Sequence, residues 1–282
     1  MSNYSLSQAL AFGVSALTPS SESPKLDAEV LLLATINQSR TYLFTWPEKE
    51  LADEQQAQFL SFIEQRRQGK PVAHITQYRE FWSLNFKVSP ATLIPRPDTE
   101  TLVELALDKA TSKQGKLLDL GTGTGAIALS LAIELPDWQV TAVDYQLDAV
   151  LLANDNKSQL GITNAEILQS NWFSALAGEK FDLIVSNPPY IDPQDPHLQQ
   201  GDVRFEPLSA LIAEKQGMAD LEFIITKSRE FLNESGWLLL EHGYDQGQLV
   251  RDFFAKMAYK VITTEKDLGG NDRVTLAQWA PE

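Results

Sequence analysis

The chain has 282 residues, 43% of them hydrophobic, enough for one large α/β domain and a smaller one. Its 23 Lys+Arg against 38 Asp+Glu leave a net charge of −15, which opposes approach to a polyanion and makes direct nucleic-acid binding unfavourable. The absence of Cys excludes disulfides and thiolate metal sites. The three histidines, His74, His197 and His242, lack metal-ligand spacing, so no metal is expected. No run approaches a membrane span, and Met1 to Leu6 has no basic segment followed by an apolar one; a soluble cytoplasmic protein with no membrane partner is expected.

Helical spacing runs through residues 6–17 and 24–37, where Leu26, Val30, Leu33 and Ile36 recur at threes and fours after Pro24, a residue suited to a first turn. Ala52 to Gln68 reads as a third helix, stopped by Gly69-Lys70-Pro71. Together they predict a small helical domain over 1–75 that recognises a substrate. From Glu80 to Ile94 the pattern alternates, giving a hairpin or linker over 76–98. Helical spacing resumes from Thr99 to Ala110. Strands and helices then alternate at Lys116 to Leu120, Gly125 to Leu135, Gln139 to Val143 and Leu147 to Leu160, the signature of a doubly wound, mostly parallel sheet over 99–282. Further strands are expected at Ala165 to Leu168, Phe181 to Val185 and Gly236 to Glu241. Tyr259 to Thr264 and Arg273 to Trp279 read as a closing hairpin around Gly269-Gly270-Asn271.

Two constellations carry chemistry. Leu117 to Leu120 run into Gly121-Thr122-Gly123-Thr124-Gly125, where missing Cβ atoms permit a sharp turn and close ligand approach, with N–H groups at the helix start expected to stay free as donors. Asp144 ends the next strand, where a carboxylate can accept both ribose hydroxyls of a nucleoside. Gly121-x-Gly123-x-x-Ala126 also meets the looser dinucleotide fingerprint, so an NAD-dependent dehydrogenase is a rival. Asn187-Pro188-Pro189-Tyr190, after the apolar run Phe181 to Ser186, weighs against it. An Asn oxygen and the Pro188 carbonyl supply two acceptors for a planar NH₂ group, the prolines fix the backbone, and Tyr190 offers a flat face. A sulfonium methyl donor needs such a held nitrogen, so S-adenosyl-L-methionine is the expected cofactor.

The glycine turn, the strand-end Asp144 and Asn187 to Tyr190 together resemble S-adenosylmethionine-dependent amino-methyltransferases. Phe81-Trp82, Leu93-Ile94-Pro95-Arg96-Pro97-Asp98-Thr99-Glu100 and Arg204-Phe205-Glu206-Pro207-Leu208 narrow the resemblance to the release factor glutamine methyltransferases (PrmC/HemK), over almost the whole chain. The resemblance implies a seven-stranded class I methyltransferase sheet with an N-terminal helical bundle. It also implies methylation of the N5 amide of the glutamine in the Gly-Gly-Gln motif of peptide chain release factors 1 and 2. Gly121 to Gly125 and Asp144 then match cofactor positions, Trp172 a position beside the adenine, and Asn187 through Tyr190 the clamp on the substrate amide. Ribosomal protein L3 glutamine methyltransferases share Asn-Pro-Pro-Tyr but differ at Arg96 to Glu100; they and adenine or cytosine amino-methyltransferases are the enzymatic alternatives, and a non-catalytic binding module is the other. Two residues depart from the family pattern. Asn171 replaces a usual Asp and is expected to weaken cofactor affinity, and Gln77 replaces a commoner Gly, which argues against left-handed backbone there.

Overall fold

The computed structural model describes residues 3–281. It divides into two compact units, one of Met1–Tyr78 with Gln199–Phe205, the other of Arg79–Leu198 with Glu206–Glu282.

The first unit contains α1 (Leu6–Leu17), α2 (Pro24–Ile36), α3 (Arg40–Thr45), α4 (Asp53–Arg67) and α5 (Val72–Thr76). Ser5 opens α1 with a capping box: its hydroxyl accepts from Gln8 N–H while the Gln8 side chain accepts from Ser5 N–H. Leu6, Leu17, Leu31, Leu32, Phe59 and Ile63 form its apolar core. Arg66 is largely buried between two carboxylates, Asp27 at 2.7 Å and Asp202 at 2.8 Å, so the returning segment 199–205 is fastened to this unit by charge as well as packing. Gln77 departs from expectation. It takes left-handed backbone, φ 65 and ψ 14, immediately after α5, a conformation that costs a non-glycine residue ~1–2 kcal/mol and that glycine adopts freely.

A short hairpin, β1 (Tyr78–Phe81) and β2 (Leu84–Lys87), turns through Trp82 and Ser83, both at positive φ as a two-residue hairpin loop of the I′ kind demands. After a 3₁₀ turn at Pro97–Thr99 come α6 (Glu100–Lys109), β3 (Lys116–Leu120), α7 (Ala126–Glu134), β4 (Gln139–Asp144), α8 (Leu147–Leu160), β5 (Ala165–Gln169), β6 (Phe181–Ser186), α9 (Ala219–Ser228), β7 (Leu232–Glu241), α10 (Gly247–Lys256), β8 (Lys260–Lys266) and β9 (Asp272–Gln278). The seven larger strands lie in the order β5-β4-β3-β6-β7-β9-β8, all parallel except β9, which runs antiparallel to both neighbours. Alternate residues of the central strands face opposite ways. Leu117, Leu183, Val185 and Leu239 pack under α6, α7 and α8, whereas Leu118, Leu120, Ile184, Leu238 and Leu240 pack under α9 and α10. The expected doubly wound sheet is therefore present, with its order reversing at β3 and β6, where the open crevice of such a sheet lies.

Candidate active site

The C-terminal ends of β3, β4 and β6 converge on a cavity of about 320 Å³, within the range of small-molecule sites. Of the residues expected at the site, Gly121, Thr122, Gly123, Thr124, Asp144, Trp172, Asn187 and Pro189 line it. Gly125 stands just behind, at the start of α7, where a Cβ would lie 2.9 Å from Leu129 Cδ1. Pro188 and Tyr190 are not among the lining residues. Tyr190 is half-buried, packs against the apolar layer under α9 and α10 and donates its hydroxyl to Glu241 Oε1 at 3.4 Å.

Within the glycine turn itself, ahead of α7, four backbone donors are already used. Gly121 and Thr122 donate their N–H groups to Val143 O at 2.9 and 3.0 Å, Gly123 donates to Asp144 Oδ2 at 2.9 Å, and Gly125 to Thr122 O at 2.8 Å. The Thr122 hydroxyl also turns inward, donating to Asp119 Oδ2 at 2.7 Å; burial pushes that carboxyl up to about 7. These donors are taken because β4 and its terminal carboxylate lie against the turn. A pyrophosphate would need them free. A nucleoside carrying a sulfonium needs only close approach, which the positive φ angles of Gly121, Gly123 and Gly125 allow. The loop thus fits S-adenosylmethionine better than a dinucleotide.

Asp144 holds the loop and faces the cavity together. Its Oδ1 accepts from Gln146 N–H at 2.9 Å while Oδ2 holds Gly123; burial raises its pKa, and these backbone hydrogen bonds oppose the rise. Each carboxylate oxygen has a second lone-pair direction, sufficient to accept the ribose hydroxyls. Trp172, at φ 49, presents an indole wall, with its ring centroid 6.5 Å from that of Phe223, and Asn171 lies beside it.

Asn187 follows β6 directly. Its Nδ2 donates to Thr99 Oγ1 at 3.2 Å, which occupies the NH₂ end and leaves Oδ1 as the acceptor. The stretches that carried the family resemblance meet around it. Glu100 accepts from Trp82 N–H at 2.9 Å, and Arg96 donates to the fully buried Glu206 at 2.5 Å, whose other oxygen accepts from Ile94 N–H at 3.3 Å. Arg96, Thr99, Thr92, Tyr145 and Asp220 also line the cavity. Sequence patterns do not single out Asp220 or Tyr145 because each lies outside any Gly- or Pro-marked motif; Arg96 and Thr99 were visible as part of one, without a role.

Matches to known proteins agree with this architecture. Residues 8–76 match the model of the PrmC N-terminal domain and residues 97–202 that of the methyltransferase small domain. A release factor glutamine methyltransferase of Salmonella typhimurium is 56% identical over 261 residues, covering 93% of this chain and 94% of the relative. Another of Vibrio cholerae is 57% identical over 263 residues, covering 93% and 92%. The chain belongs to the release factor glutamine methyltransferase family. Solved structures show the same fold at low identity: a methyltransferase of Pyrococcus furiosus superposes with a TM-score of 0.55 at 17% identity, covering 82% of this methyltransferase and all of that chain. The hMettl16 catalytic domain in complex with MAT2A 3'UTR hairpin 6 gives 0.56 at 17%, covering 81% and 82%. No helix among the described residues is long and apolar enough to cross a membrane.

Proposed function

We propose that this chain transfers a methyl group from S-adenosylmethionine to the side-chain N5 of the glutamine in the Gly-Gly-Gln motif of peptide chain release factors 1 and 2. The observation that carries the reading is Asn187, whose oxygen is left as an acceptor at the same cavity as Asp144 and the glycine turn. The relatives' shared name supports release factor as substrate.

An amide nitrogen is a weak nucleophile because its lone pair is delocalised into the carbonyl. S-adenosylmethionine supplies an electrophilic methyl on a positively charged sulfur. Asn187 Oδ1 and the Pro188 carbonyl accept the two N–H hydrogens of the substrate amide and so aim its lone pair. Their hold tightens as positive charge grows on nitrogen, which is the differential binding that raises rate. As the N–C bond forms the S–C bond breaks to leave a neutral thioether, and the extra proton on nitrogen passes to solvent. Pro188 and Pro189 fix the backbone so that both acceptors are set before substrate arrives. Tyr190 acts from behind, anchoring the turn through Glu241. Gly121 to Gly125, Asp144 and Trp172 hold the cofactor, and Asn187 stands where cofactor and substrate meet.

Asn187→Ala is expected to slow turnover by ~10²–10³-fold, the loss of one transition-state contact, with cofactor binding retained. The assay is mass spectrometry of release factor peptides after incubation with S-adenosylmethionine. A single methyl on the Gly-Gly-Gln glutamine, lost in the variant, supports the reading; methyl transfer to nucleic acid instead, or undiminished turnover in Asn187→Ala, would refute it. The helical unit is the proposed release factor recognition surface. Deleting residues 1–75 should abolish methylation of intact factor while calorimetry still registers cofactor binding.

A further inference from the structure

Asn187 serves as an acceptor only if its amide faces one way, and the two ends of an amide are alike in shape; only hydrogen bonding chooses between them. We propose that Thr99 and Glu241 make that choice and are therefore positioning residues for methyl transfer, a proposal that rests on the acceptor role given to Asn187.

The placement follows from the sheet. In the parallel pairing of β6 with β7, Ser186 lies opposite Leu240, so the next residues, Asn187 and Glu241, leave adjacent strand ends together. Thr99 comes from the turn ahead of α6 and is buried, as is Glu241, only 1% exposed. The Thr99 oxygen accepts from Asn187 Nδ2 at 3.2 Å. The Thr99 hydroxyl also interacts with the Glu241 carboxyl and favours its ionised form. Tyr190 occupies Glu241 Oε1, whereas Oε2 is buried with no hydrogen-bond partner among the described residues.

A threonine hydroxyl has one hydrogen to give. A buried carboxylate claims it, because a charged acceptor is the stronger one and leaving its oxygen unpartnered is unfavourable. The threonine oxygen can then only accept from Asn187, which commits the NH₂ end inward and leaves Oδ1 for substrate. If Thr99 instead donated to Asn187, the amide would turn over and set its own NH₂ against the NH₂ of the glutamine. The charges around Glu241 favour the first arrangement. Arg273 on β9 favours the ionised carboxylate while burial, the larger effect, and Asp98 oppose it, so the ionised form is reached as pH rises through about 7; Arg273 is itself placed between Asp98 at 3.5 Å and Asp267 at 3.0 Å. His242, the next residue, does not compete, since its ring donates to Gly243 O and accepts from Thr275, each at 2.8 Å.

The test measures methyl transfer to an intact release factor, with cofactor binding by calorimetry as the check that each variant folds. Thr99→Val should lower kcat ~10–100-fold with cofactor affinity kept, as expected for losing an oriented contact felt in the transition state. Thr99→Ser, which keeps the hydroxyl, should recover most of that loss. Combined with Asn187→Ala, Thr99→Val should cause no further slowing, since both act through one acceptor. Glu241→Gln keeps the volume and serves even if Thr99→Val does not fold; it should lower kcat and flatten the rise of kcat with pH across neutrality. Thr99→Ser as slow as Thr99→Val, a full extra loss in the double variant, or an unchanged pH profile in Glu241→Gln would overturn the proposal alone. Undiminished turnover in Asn187→Ala would overturn the acceptor reading and this proposal with it.

Discussion

Glu241→Gln should trade activity for stability, and the size of the gain follows from where the carboxyl sits. Burial pushes Glu241 up to about 7 from an ordinary 4.5, against the pull of Thr99 and Arg273. At about 1.4 kcal/mol per pH unit, that difference corresponds to ~3 kcal/mol. Below pH 4.5 both folded and unfolded chains hold the proton. Between 4.5 and about 7 the unfolded chain releases it while the folded chain keeps it, so stability falls as pH rises, and above about 7 the whole ~3 kcal/mol is gone. Glutamine has no proton to lose and keeps an oxygen for the Tyr190 hydroxyl. Urea unfolding of parent and variant from pH 5 to 8.5 should give stabilities within ~1 kcal/mol of each other at the acid end, with the variant ahead by ~2–3 kcal/mol at the basic end. Asp119, also raised to about 7, titrates in both proteins and cancels in the difference. Parallel curves, or a variant weaker at pH 8 than its parent, would refute the reasoning.

Asp144→Ala removes the carboxylate that both holds Gly123 and faces the cofactor; calorimetry should show cofactor affinity reduced at least ~10-fold, the loss of about one charge-assisted contact, with the melting temperature little changed. Gly217→Ala is expected to be damaging at a distance from the cofactor. Gly217 lies at φ 80, and a Cβ there would fall 2.0 Å from Tyr190 O, so the variant should lose at least ~1–2 kcal/mol from the backbone alone and, by displacing the turn after Asn187, also turnover. Equal denaturation midpoints for parent and Gly217→Ala would contradict this.

Parallel-sheet strands were legible in the sequence because they are buried on both faces and read as apolar runs: β3 coincides with its expected bounds, and β4, β5 and β6 each exceed theirs by one residue. The helices α3, α5, α9 and α10 were not read; α3 and α5 are only 6 and 5 residues long, too short to show a period, whereas α9 and α10, of 10 residues each, were passed over. At the site, the residues marked by Gly, Pro or a strand end were found. What the sequence could not show is which hydrogen bonds the backbone had already used. Within the glycine turn, the N–H groups of Gly121, Thr122 and Gly123 are spent on Val143 and Asp144, and that of Gly125 on Thr122. Nor could it show that the Tyr190 hydroxyl reaches Glu241. Asn156 was equally silent: buried on α8, it accepts from Lys87 N–H at 2.8 Å and donates to Thr124 O at 2.9 Å, stitching the hairpin to the glycine turn with no motif to announce it.

The position of β9 constrains the order in which the sheet can assemble. It follows β8 along the chain yet lies inside it, separating β8 from β7, so β8 has no neighbour to pair with until β9 exists. A chain synthesised as far as β8 therefore holds β7 as a bare sheet margin, with Leu238, Leu239 and Leu240 along it. Such a margin pairs readily with the same margin of another copy. Self-association during synthesis, rather than weakness of the finished fold, is the hazard this topology carries, and it ends when β9 slides into place and delivers Arg273 beside Glu241.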